Sequence, residues 1–245
     1  MTRRLAICFA SLFFTSVVTL SQSLNMSGWL NTGNEKERSR KLVALGVEEE
    51  QARLAASDIV EWRPIKSQSG HALAILFIPC GTFDASNLYL LESGSAGWHV
   101  TDSVGFDCHY DESLSVETAP VWYSNIDDVL VHHECEERGT GYVEQHFNVF
   151  AVDSGRFRIV LNTKEVVKES RWPEEYEFRL TSKFSLLPPK ESAARILQET
   201  QCVNENGKIS IQKRRFSWNE SAFRLVPADF VKVQTPSRTV EASCR

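Results

Sequence analysis

The sequence lacks the short motifs by which many catalytic and nucleotide-binding sites are recognised. Its 245 residues contain no Gly-x-Ser-x-Gly nucleophile turn, no His-Glu-x-x-His zinc helix, no Walker phosphate loop and no Gly-x-Gly-x-x-Gly turn. It also has no Cys-x-x-Cys pair, which argues against a thioredoxin-like redox site or a structural zinc knuckle. We therefore expect no cofactor, and no catalytic residue can be named from motifs.

Basic residues are also few. The chain has 27 Lys and Arg against 32 Asp and Glu, a formal charge of −5. Nucleic acid is a poor candidate partner, because phosphate binding depends on clustered positive charge. The one basic cluster, Lys213-Arg214-Arg215, lies in a predicted strand, where we interpret it as a solvated face.

Long apolar runs are absent except at the N-terminus. Thr2-Arg3-Arg4 is followed by the uncharged run Leu5–Leu20 and then by Ser21-Gln22-Ser23. This order is typical of an export signal, so residues 1–23 are predicted to be a signal peptide cleaved before Leu24. A membrane anchor is the alternative, but the run is shorter than the roughly 20 apolar residues of a spanning helix. We expect a secreted or periplasmic protein without a stable membrane anchor.

The six cysteines fit an exported chain. Cys8 leaves with the signal peptide, and an odd number, five, remains. In an oxidising compartment most should pair, and one unpaired residue with four in two bridges gives about 15 arrangements. We expect Cys202 to pair with Cys244, and one further bridge among Cys80, Cys108 and Cys135.

Residues 24–66 are predicted to be a helical segment. Thr32 and Glu35 have the spacing of a capping box before a helix over 36–45, which Gly46 ends. Glu48-Glu49-Glu50 begins a second helix, because negative charge is favoured at a helix start, and Pro64 closes the segment. We expect this helical pair to dock on a sheet edge, with partner binding as the alternative.

Residues 67–245 are predicted to form one β-rich domain. Short segments rich in Val, Ile, Leu and aromatic residues alternate with turn residues throughout this range. The pattern indicates a mainly β fold, with an antiparallel multi-stranded body of repeated hairpins and a short N-terminal helical segment. The predicted strands are 72–79, 87–92, 98–104, 113–118, 127–135, 143–152, 157–165, 175–185, 195–203, 208–218 and 222–226.

One hairpin pattern recurs along the chain. The segments VFAVDSGRFRIV (149–160) and RFSWNESAFRLV (215–226) align residue by residue, and LYLLESGSAGWHV (88–100) is a looser third copy. Their turn-forming clusters predict hairpins, each with an aromatic residue just beyond the turn. These aromatic residues are Trp98, Phe157 and Phe223. In the copy over 149–160, Phe157 and Ile159 should share a face, because strand side chains alternate.

This hairpin resembles those in the blades of secreted β-propellers of the FG-GAP or VCBS type. The likeness covers about residues 85–230, and it implies a repeat of four-stranded units. The chain departs from those families because it has no Asp-x-Asp-x-Asp-Gly calcium loop, and three repeats are fewer than a closed ring needs. A propeller-like body, an open meander, a sandwich and a barrel therefore all stay open.

The segment 127–150 carries the best candidate site. A hairpin centred on Gly139 would set His132 opposite His146 and Glu134 opposite Glu144. Two imidazoles and two carboxylates in that arrangement are suitable ligands for zinc or another divalent ion. A solvated hairpin face with titrating histidines is the alternative interpretation.

Nucleophilic chemistry has less support. Cys108 and His109 are adjacent, and adjacent strand residues point to opposite faces, so the pair cannot form a local hydrogen bond. Trp172, in a charged stretch before a strand, is the best exposed aromatic candidate for contacting a sugar or peptide. We expect a monomeric, non-enzymatic binding or structural module with a protein or carbohydrate partner. The alternative is a metal-dependent enzyme that uses His132 and His146.

Overall fold

The computed structural model confirms a mainly β fold with short N-terminal helices. It describes residues 26–67, 72–78, 86–106, 114–122, 126–137, 141–171, 176–187, 196–219 and 224–233, with only the backbone for 135–137, 171, 218–219 and 224–233. The chain forms two compact units, the first comprising residues up to Gly81 together with Ser86–Gly105, the second Thr82–Ala85 and everything from Phe106. This division differs from the expected boundary near residue 67. The predicted signal peptide, 1–23, lies outside the described residues.

The helices of the first unit are α1, described over residues 26–31, α2 (Glu35–Leu45) and α3 (Glu49–Leu54), followed by a 3₁₀ turn (Ala55–Ser57). The capping box of α2 is formed by Asn34 and Glu37, two residues later than predicted. Thr32 instead bonds backward, from its hydroxyl to the Trp29 carbonyl at 2.9 Å. Gly46 ends α2 as predicted, with φ 99°, a conformation that favours glycine.

A four-stranded antiparallel sheet completes the first unit in the order β1-β2-β3-β4. Its strands are β1 (Glu61–Ile65), β2 (Leu73–Ile78), β3 (Ser86–Gly94) and β4 (Gly97–Phe106). Strand β1 is not indicated by the sequence pattern, in which Pro64 closes the predicted helical segment. Pro64 is tolerated there because β1 is an edge strand.

The helices pack on this sheet through one apolar cluster, which involves its two central strands and so is not confined to a sheet edge as expected. It joins Leu42 and Leu45 of α2 to Leu76 and Leu91 of the sheet. Burial of such side chains contributes about 1.5–3 kcal/mol each relative to exposure. The helices are thus held by core packing.

Two polar side chains hold α1 in place. Asn31 pairs with the backbone of Val60 in both directions, donating to its carbonyl at 3.0 Å and accepting from its N–H at 3.1 Å. Lys41 donates to the carbonyls of Trp29 and Thr32, at 2.5 and 2.8 Å, and lies 5.3 Å from the Trp29 ring centre. The ammonium group therefore satisfies carbonyls at the C-terminal end of α1.

The second unit contains an eight-stranded antiparallel sheet in which every strand pairs with its neighbour in the chain. This is an open meander, one of the arrangements that the sequence left possible. Strand β12 also lies near β8, so the sheet curls, although no ladder joins β12 to β8 or β5 in the described part of the chain. The strands are β5 (Leu114–Ala119), β6 (Asp128–Glu137), β7 (Tyr142–Asp153), β8 (Arg156–Arg171), β9 (Tyr176–Leu187), β10 (Ile196–Glu205), β11 (Lys208–Asn219) and β12 (Arg224–Val233).

All three repeated segments form hairpins, as predicted: β3 with β4, β7 with β8, and β11 with β12. The β7–β8 turn has two central residues, Ser154 and Gly155, with φ of 50° and 73°, the conformation that two-residue hairpin loops prefer. Phe157 contacts Phe150 at 5.8 Å between ring centres, while Ile159 is 56% exposed. Phe223 lies outside the described residues.

The long strand β8 contains two bulges against β7. Gln145 pairs with Val166 but His146 pairs with Lys164, and the next shift lies between Val149 and Phe150. Each shift leaves one extra residue on β8, Glu165 in the first case and Val160 in the second. Val160 and its neighbour Leu161 are both buried, which simple alternation would not allow.

Apolar side chains of this unit are buried on both faces of the curled sheet, Val131 and Phe150 on one face and Phe147 and Val149 on the other. Phe147, Val149, Leu161, Leu197 and Phe216 form a buried cluster. Beside it, polar side chains cover part of the same face and line a cavity.

Cys202 on β10 is buried and is disulfide-bonded. The side chains of Cys80, Cys108, Cys135 and Cys244 lie outside the described residues, so the pairing with Cys244 stays a prediction. Among the described residues, no helix is long and apolar enough to cross a membrane.

Candidate functional site: a polar cavity on the eight-stranded sheet

A cavity of about 450 Å³ lies in the second unit, where strands β5 to β9 approach one another. Its volume falls within the roughly 300–1,000 Å³ of small-molecule sites. Nine of the ten described residues that line it are polar or charged, and their carbon atoms supply much of its surface. The lining residues are Ser115, His132, His133, Glu134, Gln145, Glu165, Val166, Thr181, Ser182 and Lys183.

The β6–β7 hairpin has a different register from the predicted one. His132 lies opposite Phe147, and His133 lies opposite His146. The prediction placed Gly139 at the centre of an odd-numbered loop, whereas the strands end at Glu137 and Tyr142 and so enclose an even number of residues.

This register separates the two predicted metal ligands. Because opposite residues share a face and neighbours alternate, His132 and His146 project from opposite faces of the sheet. Among the residues that the structure describes, no group of three or more His, Cys, Asp or Glu side chains is arranged to hold a metal ion.

His132 instead forms an ion pair with Glu165. Its Nδ1 lies 2.6 Å from Glu165 Oε2, and the two side chains are 34% and 24% exposed. The hydrogen bond with Glu165 raises the pKa of His132, although burial opposes the rise. The Glu165 side chain comes from the extra residue of a bulge, a feature common beside functional sites because it redirects a side chain.

An aromatic layer lies beneath this ion pair. The His132 ring centre is 4.8 Å from that of Phe147, which in turn is 4.5 Å from Phe184. Phe147 is 3% exposed, so the ring on which His132 rests is part of the core. The imidazole therefore has one side fixed by packing, and its Nδ1 is held by Glu165.

Three further polar side chains share the face of His132. Ser115 lies directly opposite it on β5, and Glu134 lies directly opposite Gln145 across β6 and β7. Gln145 Nε2 donates a hydrogen bond to Glu134 Oε2, which orients both side chains. Serine, amide, imidazole and carboxylate groups thus converge on one cavity.

Ser182 connects this cavity to a buried ion pair. Its hydroxyl donates to Glu199 Oε1 at 2.8 Å, and Glu199 is 0% exposed. Arg214 binds the same carboxylate in a bidentate manner, through Nε at 2.7 Å and Nη2 at 2.9 Å. Such paired, charge-assisted bonds have fixed geometry, so they give the cavity a rigid wall.

Arg214 was predicted to belong to a solvated face, and that interpretation was wrong. Arg215 and Lys213 are exposed, whereas Arg214 faces the opposite way, toward Glu199 and Thr163. Its guanidinium also lies 5.7 Å from the Phe216 ring centre.

A second polar cluster lies on the His146 face of the sheet. Glu144 accepts a hydrogen bond from Lys164 Nζ at 2.9 Å, and it also pairs with Tyr142 and His146. Burial raises the pKa of Glu144, but the bonds from Lys164 and Tyr142 outweigh it and lower the net value. Glu144 is thus already occupied by three partners.

One buried carboxyl lies outside both clusters. Asp128 is 3% exposed, and its Oδ2 accepts from the backbone N–H groups of Val121 and Trp122 at 3.1 and 3.3 Å. Burial raises its pKa to about 7, although these two hydrogen bonds oppose the rise. Its role is to hold the chain that leads out of β5.

Of the residues that line the cavity, His132 and Glu134 were predicted from the sequence, whereas Glu165, Gln145 and Ser182 were not. Their spacing along the chain carries no signal, because they meet only through the register of several strands and a bulge. Trp172, the predicted exposed aromatic residue, lies outside the described residues.

A mainly β protein with a polar cavity on a curled meander is the class that fold and site define. No family model, no curated protein and no solved structure matches the chain.

Proposed function

We propose that this chain is an exported, non-enzymatic binding module of the periplasm or cell exterior. The observation that carries the proposal is the cavity of about 450 Å³ on the eight-stranded sheet, whose polar groups converge above a packed aromatic layer. A rigid concave site with a few oriented polar groups is what small-molecule recognition requires. The export part rests on the N-terminal sequence pattern.

The cavity offers hydrogen-bonding groups that the fold does not use. Nε2 of His132 and the hydroxyl of Ser115 make no hydrogen bond with any side chain or backbone group in the described part of the chain. His132 is held on its other nitrogen by Glu165 and on one ring face by Phe147. A group that is held but still open to solvent loses little conformational entropy when it binds a ligand.

The test is thermal unfolding of the mature protein with a library of small polar metabolites. At least one compound should raise the midpoint, because a ligand that binds only the folded state stabilises it. His132→Ala should remove that shift. His99→Ala, at an exposed histidine of β4 in the other unit, should keep it. A library without any stabilising compound would count against a binding function.

The metal-dependent enzyme is the competing reading and has its own test. With His132 and His146 on opposite faces, zinc or calcium should leave the unfolding midpoint unchanged, and so should EDTA. A metal-induced rise that His132→Ala and His146→Ala both abolish would restore the metal-dependent enzyme and contradict the register.

A further inference from the structure

We infer that the ligand of this cavity is a neutral polyhydroxylated molecule, a sugar or related polyol. The inference rests on the proposed binding function and names the chemical class that it would recognise. Three observations support this inference: the mixture of hydrogen-bond donors and acceptors, the charges around the cavity, and the size of the cavity.

The site offers both donors and acceptors of hydrogen bonds. Glu165 and Gln145 supply oxygen acceptors, the Nε2 of His132 faces away from its ion pair, and the Ser115 hydroxyl both donates and accepts. A ligand hydroxyl also both donates and accepts, so it can match every one of these groups. A ligand with only donors or only acceptors would leave some of them unpaired, which costs about 1–3 kcal/mol per buried group.

The charges around the cavity disfavour both kinds of ion. Glu134 would repel an anion. A cation would find Glu165 already paired with His132, Glu134 already accepting from Gln145, and the exposed Lys183 at the rim. A neutral ligand avoids both penalties while using the same hydrogen bonds.

The size of the cavity sets an upper limit on the ligand. A volume of about 450 Å³ accommodates one or two sugar rings but no long polymer in full. Among the described residues that line the cavity, the only rings are the imidazoles of His132 and His133, and that of His132 is backed by Phe147. Hydroxyl recognition is therefore expected to dominate over stacking.

The experiment is isothermal titration of the mature protein with four probe sets: neutral mono- and disaccharides, sugar acids, amino sugars, and short basic peptides. At least one neutral sugar should bind, and the charged analogue of the same sugar should bind at least 10-fold more weakly. Gln145→Ala should weaken binding about 10-fold or more, because one oriented hydrogen bond is lost. Gln198→Ala, on β10, is the matched control and should bind as the unsubstituted protein does.

The outcomes separate this inference from the proposed function. Tighter binding of an acid, an amine or a peptide, lost in Gln145→Ala and His132→Ala, would overturn the neutral-sugar assignment and keep the binding function. Failure of all four probe sets, together with a metabolite library that stabilises nothing, would overturn both. Far-ultraviolet circular dichroism of each variant must match that of the unsubstituted protein, so that lost binding is not lost folding.

Discussion

At the scale of single residues, the most unusual group is the carboxyl of Asp128. Burial raises its pKa from 3.8 to about 7, so the folded protein holds this proton more tightly than the unfolded chain does. For an acid of this kind, stability falls as the pH rises from about 4 to about 7, and the full penalty is present above pH 7.

Asp128→Asn should therefore stabilise the protein at high pH. The amide oxygen can still accept from Val121 and Trp122, but no charge is buried, so we expect a gain of about 2–4 kcal/mol at pH 8 and little change near pH 4. Urea unfolding across that pH range measures the difference. Glu205→Gln, at an exposed carboxylate, should show no such pH dependence. A gain equal at both pH values would contradict the assignment.

Arg214 gives a second prediction at this scale. Arg214→Ala leaves the Glu199 carboxylate buried without its countercharge, which should cost about 3–5 kcal/mol. Arg215→Ala is the matched control, since that exposed side chain contacts only Gln198 at 3.2 Å among its described hydrogen bonds, and it should cost less than about 1 kcal/mol. Equal losses for the two variants, measured by denaturant unfolding, would show that the Glu199 pair adds no stability.

The sequence could not have distinguished these two arginines. They are adjacent in one strand, and only the position of Glu199 on the next strand gives Arg214 its partner. The sequence shows that both side chains are charged, and a buried charge needs a partner. Which of the two is buried depends on which face of the sheet each side chain projects from.

At the scale of elements, the loop of a hairpin determines from which face of the sheet each side chain of the following strand projects. Gly141 has φ 68° and precedes β7, and a Cβ there would lie 2.4 Å from Ser170 Oγ and 3.1 Å from the Ser170 carbonyl oxygen. Position 141 therefore favours glycine both because of its positive φ and because Ser170 of β8 approaches so closely.

Gly141→Ala should destabilise more than Gly207→Ala. Both positions have positive φ, so each substitution costs about 1–2 kcal/mol in backbone strain. A Cβ at Gly207 meets nothing within 4 Å, whereas the one at Gly141 displaces Ser170, which should add at least about 1 kcal/mol. Unfolding midpoints of the two variants give the comparison, and a larger loss at Gly207 would be inconsistent with this loop geometry.

Strand positions were predictable, and their register was not. The apolar pattern located β2 to β12, because half-buried strands repeat every two residues. The predicted ends lie within about two residues of the observed ones except for the C-terminal ends of β8 and β12, which extend to Arg171 and Val233. The β6–β7 register depends on whether the loop near Gly139 has an odd or even number of residues, and both choices bury an apolar face. A shift of one residue was enough to move His146 away from His132.

At the scale of the whole molecule, the sequence predicted the fold class but not the two compact units. Strands β2 to β4 share a core with the helices, and their own sequence shows only that they are strands. The candidate site was half predicted. The hairpin that carries His132 and Gln145 is correct, although Gln145 joins the site only through the observed register. Glu165 and Ser182 come from strands β8 and β9, which the motif did not include.

Export gives the prediction at this scale. Intact mass of the protein recovered from its native compartment should correspond to a chain beginning at Leu24. Peptide mapping without reduction should join the peptide of Cys202, which is disulfide-bonded in the structure, to that of Cys244. Retention of the first 23 residues would contradict export, and a different partner for Cys202 would contradict the pairing.

The two bulges of β8 affect how this strand tolerates insertions and deletions. At each bulge, the alternation of side chains between the two faces of the sheet shifts by one residue. The four residues between Val160 and Glu165 therefore point to the opposite faces from those that the pattern at either end of β8 would give them. The two shifts together restore the original alternation. Deleting either residue alone would invert one end of β8 and expose apolar side chains. Deleting both would restore a regular ladder, so the double deletion should yield more soluble protein than either single deletion, although without the carboxylate that orients His132.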